Sequence, residues 1–274
     1  MSLPPPDLPS SNAPAPVRAP KPEKAAESMP KPKTRLPEVV EPMLETYPQL
    51  LLDALTYPWR RGGAFILVPG AFLALAFSIS AYAPVVGLAS MGIGACYFAA
   101  FYLQIVETTI AGQHRVPDWP SFSDFYDDLI RPGLQMAVVF VMSSLVFAAA
   151  VWLITSVVTF ADDEAALKTL RGIAEVVFGA YVPMAVLGLV FHGHAGGAMP
   201  HRVIPAIFRC MPGYLIGMGG LTLISVLTNA LHEVVLIIPL AGILLGWLLT
   251  ICLMVMQARL TGTLGLRFAR RIVP

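Results

Sequence analysis

Six apolar stretches leave this chain few choices. They lie at about residues 64–82, 85–106, 134–160, 173–192, 214–231 and 234–256, and together they hold a single charged side chain, Glu175. A helix rises about 1.5 Å per residue and needs roughly 20 residues to cross a hydrocarbon core about 30 Å thick, so each stretch is long enough to span. In hydrocarbon every backbone N–H and C=O must find its partner inside the protein, which makes the helix the form such stretches take. Composition points the same way, with 56% of the 274 residues hydrophobic and 13% charged, against roughly 25% charged in soluble domains. The expected fold is all-α, a polytopic membrane bundle of six transmembrane helices with short amphipathic cytoplasmic helices. Very short turns around Pro84 and at His232-Glu233 would arrange the spans as three hairpins.

Orientation follows from the cations. Sixteen of the 18 Lys and Arg residues fall before the first stretch or after the second, fourth and sixth, and only Lys168 and Arg171 lie on the other side. That asymmetry places both termini in the cytoplasm of a bacterial inner membrane and requires an even number of spans. The chain opens Met-Ser-Leu-Pro-Pro-Pro-Asp, without the basic start and apolar run of a cleaved leader, so the first span is expected to act as an uncleaved insertion signal. The net charge of +1 gives no reason to expect a nucleic-acid partner.

Residues 1–35 carry ten prolines among Ala, Ser and Lys and almost no large apolar side chains. Such a segment buries no core and is expected to be a disordered, polyproline-biased cytoplasmic tail. Between 36 and 61, Val40, Met43, Leu44, Tyr47, Leu51, Leu52, Leu55 and Trp59 recur at roughly helical spacing, interrupted by prolines. This predicts an amphipathic interfacial segment, with Tyr57 and Trp59 at headgroup level and Arg60 and Arg61 facing the cytoplasm. The six-span domain then occupies 62–274.

The cytoplasmic connections show a weak repeat. Gly112-Gln-His-Arg-Val-Pro117 leads to an amphipathic stretch and Arg131-Pro-Gly133, and Gly196-Gly-Ala-Met-Pro200 leads to Val203–Met211 and Pro212-Gly213. Span six is expected to end similarly at Gln257-Ala-Arg-Leu-Thr-Gly262, giving three hairpins related by parallel pseudo-repetition. The run from Gln104 to Arg131, centred on Glu107-Thr-Thr-Ile-Ala-Gly-Gln-His-Arg-Val-Pro-Asp-Trp-Pro-Ser-Phe-Ser-Asp124, resembles bacterial multi-span proteins of the domain of unknown function 4013 type, as does Gln257 to Gly265. The resemblance covers residues 57–274. It implies a polytopic inner-membrane protein and transfers no catalytic residue.

Four sets of polar residues remain as candidates. Ser121-Phe-Ser-Asp124 has the form of a capping box, predicting a helix over 121–131 with Phe122, Phe125, Tyr126, Leu129 and Ile130 on a docked face. Asp124, Asp127 and Asp128 share the opposite face. Three carboxylates there would suit a divalent cation or a basic partner, while a solvated face paired with Arg115, Arg202 or Arg209 is the plainer reading. His114, His192, His194 and His201 gather after spans two and four and are candidates for a transition-metal site; their spacing matches no helix-borne pair. Glu107 and Arg259, at the ends of spans two and six, are expected to form a structural ion pair, because an ionisable group at membrane depth costs about 2.5 to 3.5 kcal/mol unless it is matched. Gly213-x-x-x-Gly217, Gly242-x-x-x-Gly246 and Ser90-x-x-x-Gly94 are read as close-packing points between helices. Cys96, Cys210 and Cys252 lack metal or redox spacing and are read as small hydrophobes.

No phosphate loop, nucleophile elbow or His-Glu-x-x-His is present. No catalytic residue and no cofactor are expected. The leading reading is a non-enzymatic scaffold or accessory subunit in contact with the lipid bilayer, reaching a cytoplasmic protein partner through residues 1–35 and the 121–131 helix. A small-solute or lipid transporter is the alternative, and a metal-dependent membrane enzyme at the His and Asp residues the third.

Overall fold

A computed structural model describes residues 47–60, 63–80, 83–121, 123–157, 164–235 and 241–272. The chain divides into two units, Met1–Arg35 and Leu36–Pro274, and every described residue belongs to the second. The expectations for residues 1–46 therefore lie outside the described residues.

All regular elements among the described residues are helical. Helix α1 runs over Tyr47–Thr56 and passes into a 3₁₀ turn at Tyr57–Trp59. Then come α2 (Gly63–Ser80), α3 (Pro84–Ile110), a π turn (Phe125–Ile130) leading directly into α4 (Arg131–Val157), and α5 (Glu164–His192). A 3₁₀ turn at Ala195–Ala198 precedes α6 (Pro200–Cys210), α7 (Gly213–Val235) and α8 (Ala241–Ile272). Among the described residues five helices are long and apolar enough to cross a membrane: Gly63–Ser80, Val85–Ile110, Phe125–Leu153, Gly213–Val235 and Ala241–Ala269. The apolar part of α5, Val176–His192, is shorter.

Several boundaries differ from expectation. The turn placed at His232-Glu233 is instead the last part of α7, which continues to Val235. Gly262 is not an exit, because α8 continues ten residues past it to Ile272. Pro132 does not separate a loop helix from the third span. It is the second residue of α4, which the π turn enters without a break. Chain exits instead use glycines at positive φ, Gly112 after α3 (φ 77°) and Gly193 after α5 (φ 68°), the left-handed position that side chains with a Cβ disfavour.

The outer surface is that of a body solvated by lipid. Phe65 is 87% exposed, Val85 84% and Trp152 70%, and apolar side chains this open on consecutive long helices are what hydrocarbon, not water, accommodates. Inside, α8 is the axis. It packs against α1, α2, α3, α5, α6 and α7, while α2 packs with α3 and α4 with α5. Its buried positions Ile251, Val255, Ala258, Leu260, Leu264 and Phe268 supply much of the core. Close approach depends on small residues: a Cβ on Gly262 would stand 2.5 Å from the Thr109 Cβ of α3, and one on Gly217 would stand 2.6 Å from a methyl of Leu264. Gly213 abuts the Tyr47 hydroxyl and Phe268, so this glycine pair packs within the chain.

The 112–121 connection folds back onto the bundle. Trp119 stacks on Phe101 with ring centroids 3.9 Å apart and donates its indole N–H to the Ile66 carbonyl at 3.0 Å. Gly70 leaves room for that indole. The tryptophan thus ties the loop to both α2 and α3.

Candidate functional site

The most demanding chemistry among the described residues surrounds one buried guanidinium. Arg259, on α8, is 2% exposed. Its Nε donates to the Asp53 carboxylate at 2.9 Å, and one terminal nitrogen donates to the Gln113 carbonyl at 2.7 Å and to the Thr109 hydroxyl at 3.3 Å. The other terminal nitrogen donates to His114 Nδ1 at 3.1 Å. A guanidinium has no acceptor, so Nδ1 must accept and the imidazole proton sits on Nε2. The second oxygen of Asp53 takes a contact from Arg60. Arg259 also lies over the Tyr57 ring, 4.6 Å from its centroid, within cation–π range.

Tyr57 is fully buried and donates to the Arg115 carbonyl at 3.0 Å. Burial pushes its phenol above the usual range, with the Arg259 and Arg60 charges pulling the other way. It therefore stays a protonated donor at neutral pH. Tyr57 is thus packed inside the protein, whereas Trp59, two residues on, is 65% exposed.

The hub ties together three distant parts of the sequence: α1 with its turn, the end of α3 with the following loop, and α8. Local periodicity explains each contribution. On α1 the buried positions are Leu50, Asp53 and Ala54, with Tyr57 continuing the stripe, the i, i+3, i+4, i+7 pattern of one helix face. On α3 the face toward α8 carries Ile105, Val106 and Thr109, all buried. Glu107 lies two residues on from Ile105, about 200° around the helix, and is exposed. The expected Glu107–Arg259 pair is accordingly replaced: Arg259 takes Asp53, from the interfacial segment, as its carboxylate.

The acidic loop helix is shorter than expected and differently capped. It is the π turn Phe125–Ile130, and its N-cap is Asp124, which accepts from the Asp127 N–H at 3.3 Å, not Ser121. Ser121 instead donates to the Asp128 carboxylate at 2.9 Å, and Asp127 pairs with Arg131 at 3.5 Å. The three carboxylates are thus engaged by their own segment. Of the face expected to be docked, Leu129 is fully buried while Phe125 and Tyr126 are 46% and 61% exposed. Leu129→Asp is therefore expected to cost roughly 3 kcal/mol or more of stability, since it buries an unmatched carboxylate. Phe125→Asp should leave the melting temperature in detergent nearly unchanged, and equal sensitivity of the two sites would contradict the observed docking.

The histidines separate. His114 belongs to the hub. His192 donates through Nδ1–H to the Gly188 carbonyl, 2.8 Å away, and its ring stands 6.0 Å from that of His194. His192 and His201 line one cleft. Among the described residues no group of three or more His, Cys, Asp or Glu side chains could hold a metal ion. Of the remaining polar residues in the long helices, Gln257 donates to Ser225 at 2.9 Å, linking α8 to α7. The side chain of Glu175 lies outside the described residues.

The chain matches no known family model, no curated protein and no solved structure. What the site can do is therefore argued from its geometry. Four of the five guanidinium N–H donors are engaged, one of them by the Asp53 carboxylate, and among the described residues no buried side-chain nitrogen or oxygen lacks a partner. Sequence reading missed Asp53, although it interrupts Leu50-Leu-Leu-Asp-Ala-Leu55 on the same face as Leu50 and Ala54. An acid in the apolar stripe of a short helix asks for a cation, and that was the available signal.

Proposed function

We propose that this chain is a six-span integral protein of a bacterial inner membrane, with both termini cytoplasmic, acting as a non-enzymatic scaffold or accessory subunit. The observation that carries the reading is the closed hub. An ionisable side chain at membrane depth is by default a candidate for transport or catalysis, but Arg259 has four of its five N–H donors committed to protein groups and joins three segments. Its role is to hold α1 and the 112–121 loop onto the bundle. The apolar stretch Val176–His192 counts as the fourth span, and the packed pairs α2/α3, α4/α5 and α7/α8 correspond to three hairpins. Exposed Phe125 and Tyr126, bordered by Asp124 and Asp127, offer an apolar and acidic surface to a basic cytoplasmic protein partner, alongside the Pro-rich residues 1–35.

Reporter fusions test the layout. Green fluorescent protein joined after Asp124, His201 or Ala269 is expected to fluoresce, and alkaline phosphatase joined at Ala83 or Glu164 to be active outside. Phosphatase activity at Asp124 or His201 would remove the six-span arrangement. Capture of a partner that is lost on deleting residues 1–35 would support the scaffold role, and saturable solute uptake by reconstituted protein would favour a transporter instead.

A further inference from the structure

Helix α6 presents three faces. Val203, Ala206 and Cys210 are buried against the bundle. Ile204, Phe208 and Met211 are exposed apolar side chains, with Phe208 70% open. His201, Arg202 and Arg209 occupy the remaining arc and are exposed. At 100° per residue the apolar and basic arcs are adjacent but separate. A helix built this way lies in a membrane interface with one side in the acyl region and the other at headgroup level.

Beside it is a cleft of about 500 Å³ whose lining includes His192, His201, Arg202 and Arg209 together with the apolar Met184 and Ile272. Among the described residues no carboxylate lines it. Among the described residues neither arginine is ion-paired, in contrast to Arg60, Arg131 and Arg259. The Nδ1–H of His192 donates to the Gly188 carbonyl, so the phosphate contacts of the cleft fall to the two arginines. Two unpaired guanidiniums are matched by a phosphate oxygen pair, for which the planar fork is suited.

We propose that this cleft binds the phosphate of an anionic glycerophospholipid. A free phosphate would account for the charge but not for the apolar wall or for the neighbouring exposed Ile204 and Phe208, which put the basic rim where lipid headgroups are. The inference rests on the cytoplasmic-face placement of α6 proposed above, the side on which basic pockets between helices meet anionic headgroups.

The test uses the full-length protein in neutral detergent, its thermal unfolding followed during titration with dioleoylphosphatidylglycerol, dioleoylphosphatidylcholine or inorganic phosphate. Phosphatidylglycerol is expected to raise the melting temperature saturably and phosphatidylcholine to have little effect. Removing each arginine should weaken the half-saturation by about fivefold, and R202Q with R209Q by roughly twenty-five-fold, whereas R202K with R209K should retain most of the response. If the double variant does not fold, Arg209→Gln alone carries the comparison. Equal responses to the two lipids, or an undiminished response in the Gln variants, would overturn the site. Inorganic phosphate that reproduces the full stabilisation and abolishes any further effect of phosphatidylglycerol would overturn the lipid assignment. Because lipid preference in detergent does not depend on orientation, its failure is distinguishable from a failure of the fusion experiment.

Discussion

Asp53→Ala is expected to destabilise the folded protein by about 3 to 5 kcal/mol, the cost of breaking a buried ion pair by removing one partner. Arg259 is 2% exposed and, among the described residues, its only carboxylate is Asp53. Deleting that carboxylate leaves a permanently charged group against Thr109, His114 and a carbonyl, none of which neutralises it. Arg259→Gln should cost less than Asp53→Ala, because the stranded Asp53 still has Arg60 beside it, and Arg60 reaches solvent with its side chain 34% exposed. Thermal unfolding of the purified protein in detergent reads both values and their order. A loss of about 1 kcal/mol or less for Asp53→Ala, the value typical of an exposed pair, would mean that the hub is hydrated.

Gly188→Ala should be comparably damaging for a different reason. The backbones of Gly188 on α5 and Gly197 in the 3₁₀ turn lie so close that a Cβ on either would overlap the other's carbonyl oxygen. Backbone cannot swing aside as a side-chain tip can, so α5 and the turn must separate, at a cost of about 1 to 3 kcal/mol and more where the shift propagates. Propagation is expected here, since Tyr181 of α5 donates to the neighbouring Ala198 carbonyl at 2.5 Å and the Gly188 carbonyl itself accepts from His192. The control is Gly179→Ala on the same helix, which has open space around it and should be neutral or slightly stabilising. Equal melting temperatures for the two variants would show that the close approach is not maintained.

The helical class and the positions of the long apolar helices were readable because lipid removes alternatives: a run of about 20 apolar residues has one economical structure, and periodicity within it is unnecessary. Helix ends were less readable. His232 and Glu233 suggested a turn by polarity, but a helix continues through polar residues once its end leaves the hydrocarbon, and α7 does so to Val235. Gly262 suggested an exit by analogy with Gly112. It serves instead to admit Thr109 of α3, a contact between residues more than 150 positions apart that no local pattern encodes. In the sequence Arg259 reads as a buried charge needing a partner, and position alone offers Glu107, the acid at the end of another long helix. Helical phase decided otherwise, turning Glu107 outward and Thr109 inward. Asp53 lies in a segment whose composition is that of an interfacial helix, where an acid carries little information; its place in the Leu50, Ala54, Tyr57 stripe is what marks it.

The central claim, that the buried charge of this protein is a lock between α1 and α8, is tested most directly by a double-mutant cycle of Asp53→Ala and Arg259→Leu, followed by thermal unfolding in detergent. The account predicts that the double variant loses substantially less stability than the two single losses combined, with a coupling of about 1 to 3 kcal/mol, because removing both charges leaves neither stranded. Additive losses, agreeing within about 0.5 kcal/mol, would show that the two side chains do not act on each other and would contradict the lock.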